Sequence, residues 1–173
     1  MFTATGLAAA GATVVPTFTD TAHVTADGLA AINALASHGI TTGTTATTFS
    51  PDDNVTRAQM AAFLNRFASL VKDHANALLT TNVATQTYNY TDITSTTFEE
   101  MESIIRLYNL GVMGTCTVTA LGTGCDTAYR PAADITRAEM ASMLTNLLNH
   151  TNARPAGVSI QSTTANLTVG QVD

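Results

Sequence analysis

Four stretches of the chain space their apolar residues three and four positions apart, the mark of helices with one greasy face. The first runs through Leu29, Ile32, Leu35 and Ala36 and stops at Gly39, a glycine placed to take positive φ just past a helix end. The second carries Met60, Phe63, Leu64 and Phe67. The third carries Met101, Ile104, Ile105 and Tyr108 and ends at Gly111. The fourth carries Met140, Met143, Leu144, Leu147 and Leu148. A helix with one apolar face cannot hide it alone, so these elements should pack on one another. The pattern predicts an all-α fold.

Helix starts are marked as clearly as the faces. Thr56 with Gln59, Thr136 with Glu139 and Thr97 with Glu100 stand in the capping-box relation, in which the hydroxyl accepts from the N3 amide and the N3 side chain reaches back. Val55 with Met60, and Ile135 with Met140, have the spacing of a hydrophobic staple. Each such cap contributes about 1 kcal/mol.

The elements come in two similar pairs. Thr56-Arg57-Ala58-Gln59-Met60-Ala61 returns as Thr136-Arg137-Ala138-Glu139-Met140-Ala141, and Phe49-Ser50-Pro51 as Tyr129-Arg130-Pro131. Phe18-Thr19-Asp20 corresponds to Tyr90-Thr91-Asp92, and Gly39-Ile40 to Gly111-Val112. Offsets held over so many positions define an internal repeat of helix, loop, helix. The second copy has extra residues between Gly114 and Tyr129. The organisation expected is therefore a leader or signal-peptide remnant at 1–16, a first repeat at 17–79, a polar linker at 80–89 and a second repeat at 90–150. Residues 151–173, with Val158-Ser159-Ile160 and Leu167-Thr168-Val169, read as a linker and the start of a β domain of immunoglobulin type.

Composition narrows the function. Charged residues make up 12% of the chain, and the formal net charge is −6. With seven basic residues and Lys72 as the one lysine, the chain cannot neutralise many phosphates, which argues against nucleic acid and against anionic lipid. Leu7 to Val15 is apolar but too short to span a bilayer. Cys116 and Cys125 sit in the Gly/Thr-rich insertion of the second copy. Their proximity reads as a local disulfide of an exported protein, with two reduced thiols as the alternative.

Together these residues resemble the S-layer homology repeat. Phe18-x-Asp20, His23, Gly39-Ile40-x-x-Gly43, Phe49-x-Pro51 and Val55-Thr56-Arg57-Ala58-Gln59 carry the resemblance in the first copy. Tyr90-x-Asp92, Gly111-Val112, Tyr129-x-Pro131 and Ile135-Thr136-Arg137-Ala138-Glu139 carry it in the second. The resemblance implies non-covalent anchoring of an exported surface protein to cell-wall polysaccharide, a secondary polymer with acidic pyruvyl groups, at the outer face of the cell. It also implies three repeats in a pseudo-threefold spindle with ligand in the grooves between them, where this chain shows two. Val24 stands where an aromatic often follows the histidine, and the chain has no Trp.

By that resemblance Arg57 and Arg137 are the anion-binding residues, joined by Gly43, Gly114, Gln59 and Glu139 as the glycan-binding set. A planar guanidinium at a helix N-terminus suits a carboxylate. Gln59 and Glu139 also serve as caps, Asp20 and Asp92 should close turns on backbone amides, and Phe18, Phe49, Tyr90 and Tyr129 should plug the core. His23, His38, His74 and His150 lack ligand spacing and belong on helix ends or the surface. Asp52, Asp53 and Asn54 lack the ligand pattern of a calcium loop, and Glu99, Glu100 and Glu102 read as a solvated helix surface. Asn-x-Thr sequons at Asn54, Asn89, Asn149 and Asn166 carry little weight in so Thr-rich a chain. No catalytic motif and no cofactor motif appears in the sequence, so the reading is a binding module and not an enzyme. The competing readings are a self-associating structural module without glycan ligand, and the anchor region of a cell-wall hydrolase.

Overall fold

The computed structural model describes residues 17–73, 79, 88, 90–113 and 127–151. Helices α1 (Ala26–Ser37), α2 (Arg57–Ala68), α3 (Phe98–Asn109) and α4 (Arg137–Leu148) form these parts, with a 3-10 turn at Ile93–Ser95. The described residues are helical, as the apolar spacing requires. The disulfide expected between Cys116 and Cys125, the glycan role of Gly114, His74, the leader and the β-prone tail all lie outside the described residues.

Each helix begins where its cap says it should. Thr56, Thr97 and Thr136 each accept from the N3 amide, and the Gln59, Glu100 and Glu139 side chains each reach back to the cap amide. Thr25 caps α1 by accepting from Gly28. At the other end, Gly39 and Gly111 have φ of 68° and 73°. There the Ile40 amide donates to the Leu35 carbonyl and the Val112 amide to the Leu107 carbonyl, both at 2.9 Å. This is the left-handed closure that turns the chain out of a helix and buries the next apolar residue.

The same hydrogen bonds recur in the loops before α2 and α4. The Asp20 carboxylate accepts from the Phe49 and Ser50 amides, and Asp92 accepts from the Tyr129 and Arg130 amides. Ser50 and Arg130 both sit at φ 58°, an unfavourable setting for a non-glycine residue. The carboxylates hold the backbone there. Burial is not symmetric, however. One cluster joins α2, α3 and α4 through Ala61, Leu64, Ile104, Leu107 and Leu147 with Tyr129 and Ile93. The other holds Phe18, Ile32 and Ala36 under α1, with Phe49 tilted against Phe18 at 5.5 Å.

Helix packing is dominated by α2 against α3, with a smaller α2–α4 contact, while α1 makes no close backbone approach to another helix. The small side chains Ala58, Ala61, Ala62 and Ala68 are all buried along α2, and small residues allow helices a near approach. These alanines and Leu107 are core positions that the apolar spacing passed over. Conversely, Leu29, Leu35, Leu144 and Leu148 belong to the expected stripes yet are 36%, 41%, 39% and 40% exposed. Leu35 and Leu144 line one apolar pocket of about 330 Å³ together with Phe49, Met60, Phe63, Leu64 and Phe67. The expectation that Glu99, Glu100 and Glu102 are merely solvated is also corrected. Glu99 pairs with Arg66, Glu100 caps α3, and Glu102 pairs with Arg106.

Candidate functional site

The first loop closes over itself through Gly43. Its φ is 79°, and a Cβ there would lie 2.5 Å from the Thr48 carbonyl oxygen and 2.6 Å from the Phe18 ring. Only glycine fits that turn. The tight loop sets Thr41, Thr42 and Thr44 along one wall of a groove of about 540 Å³, whose far wall is the start of α3 with Thr97, Glu99 and Glu100. The floor and flank come from α2 and its lead-in, through Asn54, Thr56, Gln59, Phe63 and Arg66.

This groove is rich in hydroxyl and amide groups, and Arg66, the one cation among its described lining residues, is already engaged. Arg66 donates to Glu99 at 2.7 Å and to the Ile40 carbonyl at 3.1 Å. Asp53, Glu99 and Glu100 give the groove more carboxylates than cations. Of the residues expected to bind glycan, Gly43 and Gln59 line it. Arg66 and the threonines of the first loop were not singled out by the sequence. Arg66 stands in the last turn of α2, remote in sequence from the repeated cap motif, and only the arrival of α3 makes it part of a wall.

Arg57 lies elsewhere, at the junction of the two halves. Its Nε donates to the Tyr129 carbonyl at 2.8 Å, its guanidinium pairs with Glu139, and its Cζ stands 4.9 Å from the centre of the Tyr129 ring. The Tyr129 hydroxyl returns a bond to the Arg57 carbonyl at 2.8 Å. Burial raises the Tyr129 pKa well above the ordinary phenol value, so it remains a donor. Hydrogen bonds from both the Thr136 amide and its hydroxyl, with Arg57 as a smaller influence, hold the Glu139 carboxyl below its usual range. Nearby, the Arg57 and Ala58 amides donate to the Ala133 and Pro131 carbonyls. The loop before α4 thus satisfies the first amides of α2, which a helix leaves open.

Arg137, the repeat of Arg57, is exposed and has no ion-pair partner among the described residues. The other sequence-marked groups are structural. His23 bonds Asp52 at 2.8 Å, His38 follows α1 as its C-cap residue, and Asn54 donates to Asp134. No cluster able to hold a metal ion occurs among the described residues.

Capped helix pairs around a hydroxyl-lined groove make up a small helical domain. Residues 17–61 match the S-layer homology domain, and over that stretch, about a quarter of the chain, the protein carries such a domain. That domain is a binding and anchoring unit and gives the protein an association with the cell surface. No curated protein and no solved structure matches the chain. None of the helices among the described residues is long and apolar enough to cross a membrane.

Proposed function

We propose that the chain attaches an exported surface protein non-covalently to cell-wall polysaccharide, with the polymer lying in the groove between the first loop and α3. Residues 90–150 are then a second repeat of the same kind, in a bundle of threefold plan. The observation that carries this reading is the groove itself, lined by Thr41, Thr42, Thr44, Thr56, Thr97 and Gln59. Paired donors and acceptors of that sort suit the hydroxyls of a sugar chain, and Phe49 and Phe63, which also line the groove, offer apolar contact for its C–H groups.

Charge refines the proposal. A groove whose guanidinium is bound to Glu99 and which carries further carboxylates favours hydroxyl contacts over acidic ones. The pyruvyl groups expected on the polymer find their cation instead at Arg137, which is exposed and stands at a helix N-terminus that favours anions. Arg57 is held by Tyr129 and Glu139 and contributes by fixing the two halves together.

Retention on purified wall polysaccharide tests the groove. The exposed lining residues Thr42 and Asp53 cap no helix, so Thr42→Val/Asp53→Ala should keep native helicity while retention falls at least about tenfold, or about 1.4 kcal/mol. Undiminished retention would remove the groove from the mechanism.

A further inference from the structure

Where α2 is mated to α3, Arg66 in the last turn of α2 meets Glu99 in the first turn of α3. The guanidinium has two separate engagements. Its Nη1 donates to the Ile40 carbonyl at 3.1 Å, which ties the end of α2 to the chain leaving α1. Its other edge, Nε with Nη2, faces Glu99, and both nitrogens stand 2.7 Å from the same oxygen, Oε1. That edge is the fork that holds a carboxylate through two parallel bonds, one to each oxygen. Glu99 grips it with one.

The second half of the chain separates the two engagements. Asn146 stands there in place of Arg66 and donates to the Val112 carbonyl at 3.2 Å, the counterpart of the Ile40 bond. An uncharged amide therefore suffices for the tie. The charge of Arg66 is in excess of it, and so is the carboxylate that cancels that charge. Both groups line the groove, and they differ in freedom. The Arg66 side chain is 22% exposed and anchored at Ile40, whereas that of Glu99 is 55% exposed. An ion pair with so exposed a partner adds little to stability, and apolar contact through Leu64, Ile104 and Leu107 already joins the helices.

We infer, on the reading of the groove as the polysaccharide site, that Glu99 sets which polymers enter it. Glu99 occupies the carboxylate-binding edge of Arg66 and so keeps acidic sugars out while neutral ones are admitted. A sugar carboxylate coming along the groove has to displace Glu99, and it then lies among Asp53, Glu99 and Glu100, which all line the groove. Like charges oppose it. A neutral sugar leaves the ion pair closed and meets the threonine hydroxyls. Without the Glu99 charge, the same edge offers an acidic sugar two charge-assisted bonds. Arg66 is thus a latent anion site, and one side chain of the wall holds it shut.

Retention of the full chain on two forms of one purified wall polysaccharide reads this out. The neutral form has its carboxyl groups reduced to alcohols, and the acidic form has its primary hydroxyls oxidised to carboxylates. Arg137→Ala serves as the parent, so that the exposed arginine does not mask the groove. The parent should prefer the neutral form. Adding Glu99→Gln should raise the ratio of acidic to neutral retention at least about tenfold. That gain should shrink at high salt and disappear when Arg66→Gln is added as well. Should Glu99→Gln lose native helicity, Glu99→Ala supplies the same comparison. A purely structural ion pair would alter both retentions together and leave the ratio in place, which would overturn the inference. A gain that survives Arg66→Gln, or a parent that prefers the acidic form, would overturn it too. Thr42→Val/Asp53→Ala tells the two readings apart. If that variant loses retention while Glu99→Gln leaves the ratio unmoved, the role of Glu99 falls alone; if it keeps full retention, the groove falls and this inference with it.

Discussion

Helices α2 and α4 open with nearly the same residues and come to different ends. Both start at an Arg behind a Thr cap, and both capping boxes are complete. At α2 the following loop folds over the helix start, gives it the Pro131 and Ala133 carbonyls, and locks Arg57 between Tyr129 and Glu139. At α4 the described residues bring no such loop, and Arg137 is exposed. The local motif sets the cap, because the cap needs only residues within one turn. The fate of the arginine is set by the next element along. A repeated motif is therefore one structural statement and two functional ones.

The greatest expected consequence of that difference is in the apolar faces. Leu107 is fully buried at the mated joint, whereas its counterpart Leu35 is 41% exposed. Leu107→Ala should lower unfolding free energy by about 2–5 kcal/mol, since it removes buried methyl groups and leaves a cavity. Leu35→Ala should lose less than about 1 kcal/mol. Urea denaturation of the two variants measures both. Equal losses would mean that α1 is packed as tightly as α3, and the comparison would collapse.

Next in size is the arginine pair. Arg57 is 21% exposed at its side chain and gives charged bonds to a carbonyl and a carboxylate. Its replacement by Ala should lose about 2 kcal/mol, near the value for hydrogen bonds that involve a charge. Arg137→Ala should stay within about 0.5 kcal/mol of wild type, as surface changes do, and should instead reduce retention on an acidic wall polymer. A reversal of the two stability effects would contradict the geometry of the junction. A smaller effect tests the same latch: Tyr129→Phe deletes the bond to the Arg57 carbonyl and should lower stability by about 1 kcal/mol.

Much of this was written in the sequence, because caps, helix-ending glycines and turn aspartates act over short distances. Thr56, Gly39 and Asp20 were readable for that reason, and the structure puts each to its expected use. What was not readable depends on contacts between distant segments. Periodicity marks which side of a helix is apolar, but not which neighbour arrives to cover it. Leu144 and Leu64 are indistinguishable on that basis, and one is ten times as exposed as the other. The alanine face of α2 gave no signal because alanine is small enough for either surface. Arg66 entered the groove only through Glu99, which lies in the other half of the chain.

The smallest expected effect is in acid. Position N3 of α2 is Gln59, which does not titrate, whereas the same position of α4 is Glu139. Glu139 has its pKa lowered from the ordinary 4.5, first by the Thr136 hydrogen bonds and then by Arg57. A carboxyl whose folded pKa lies below its unfolded one adds stability that is complete above the unfolded value and disappears as pH falls through the folded one. Stability should therefore decline below about pH 4.5, and Glu139→Gln should flatten part of that decline because the amide still caps but cannot be protonated there. Asp20, lowered by the Phe49 and Ser50 amides, supplies a further acid-sensitive share in the first half, so the slope should shrink and not vanish. Melting temperatures of wild type and Glu139→Gln between pH 3 and pH 7 decide it. If both curves fall in parallel, the cap at α4 and its bridge to Arg57 contribute nothing that protonation can remove, and the two helix starts are energetically alike after all.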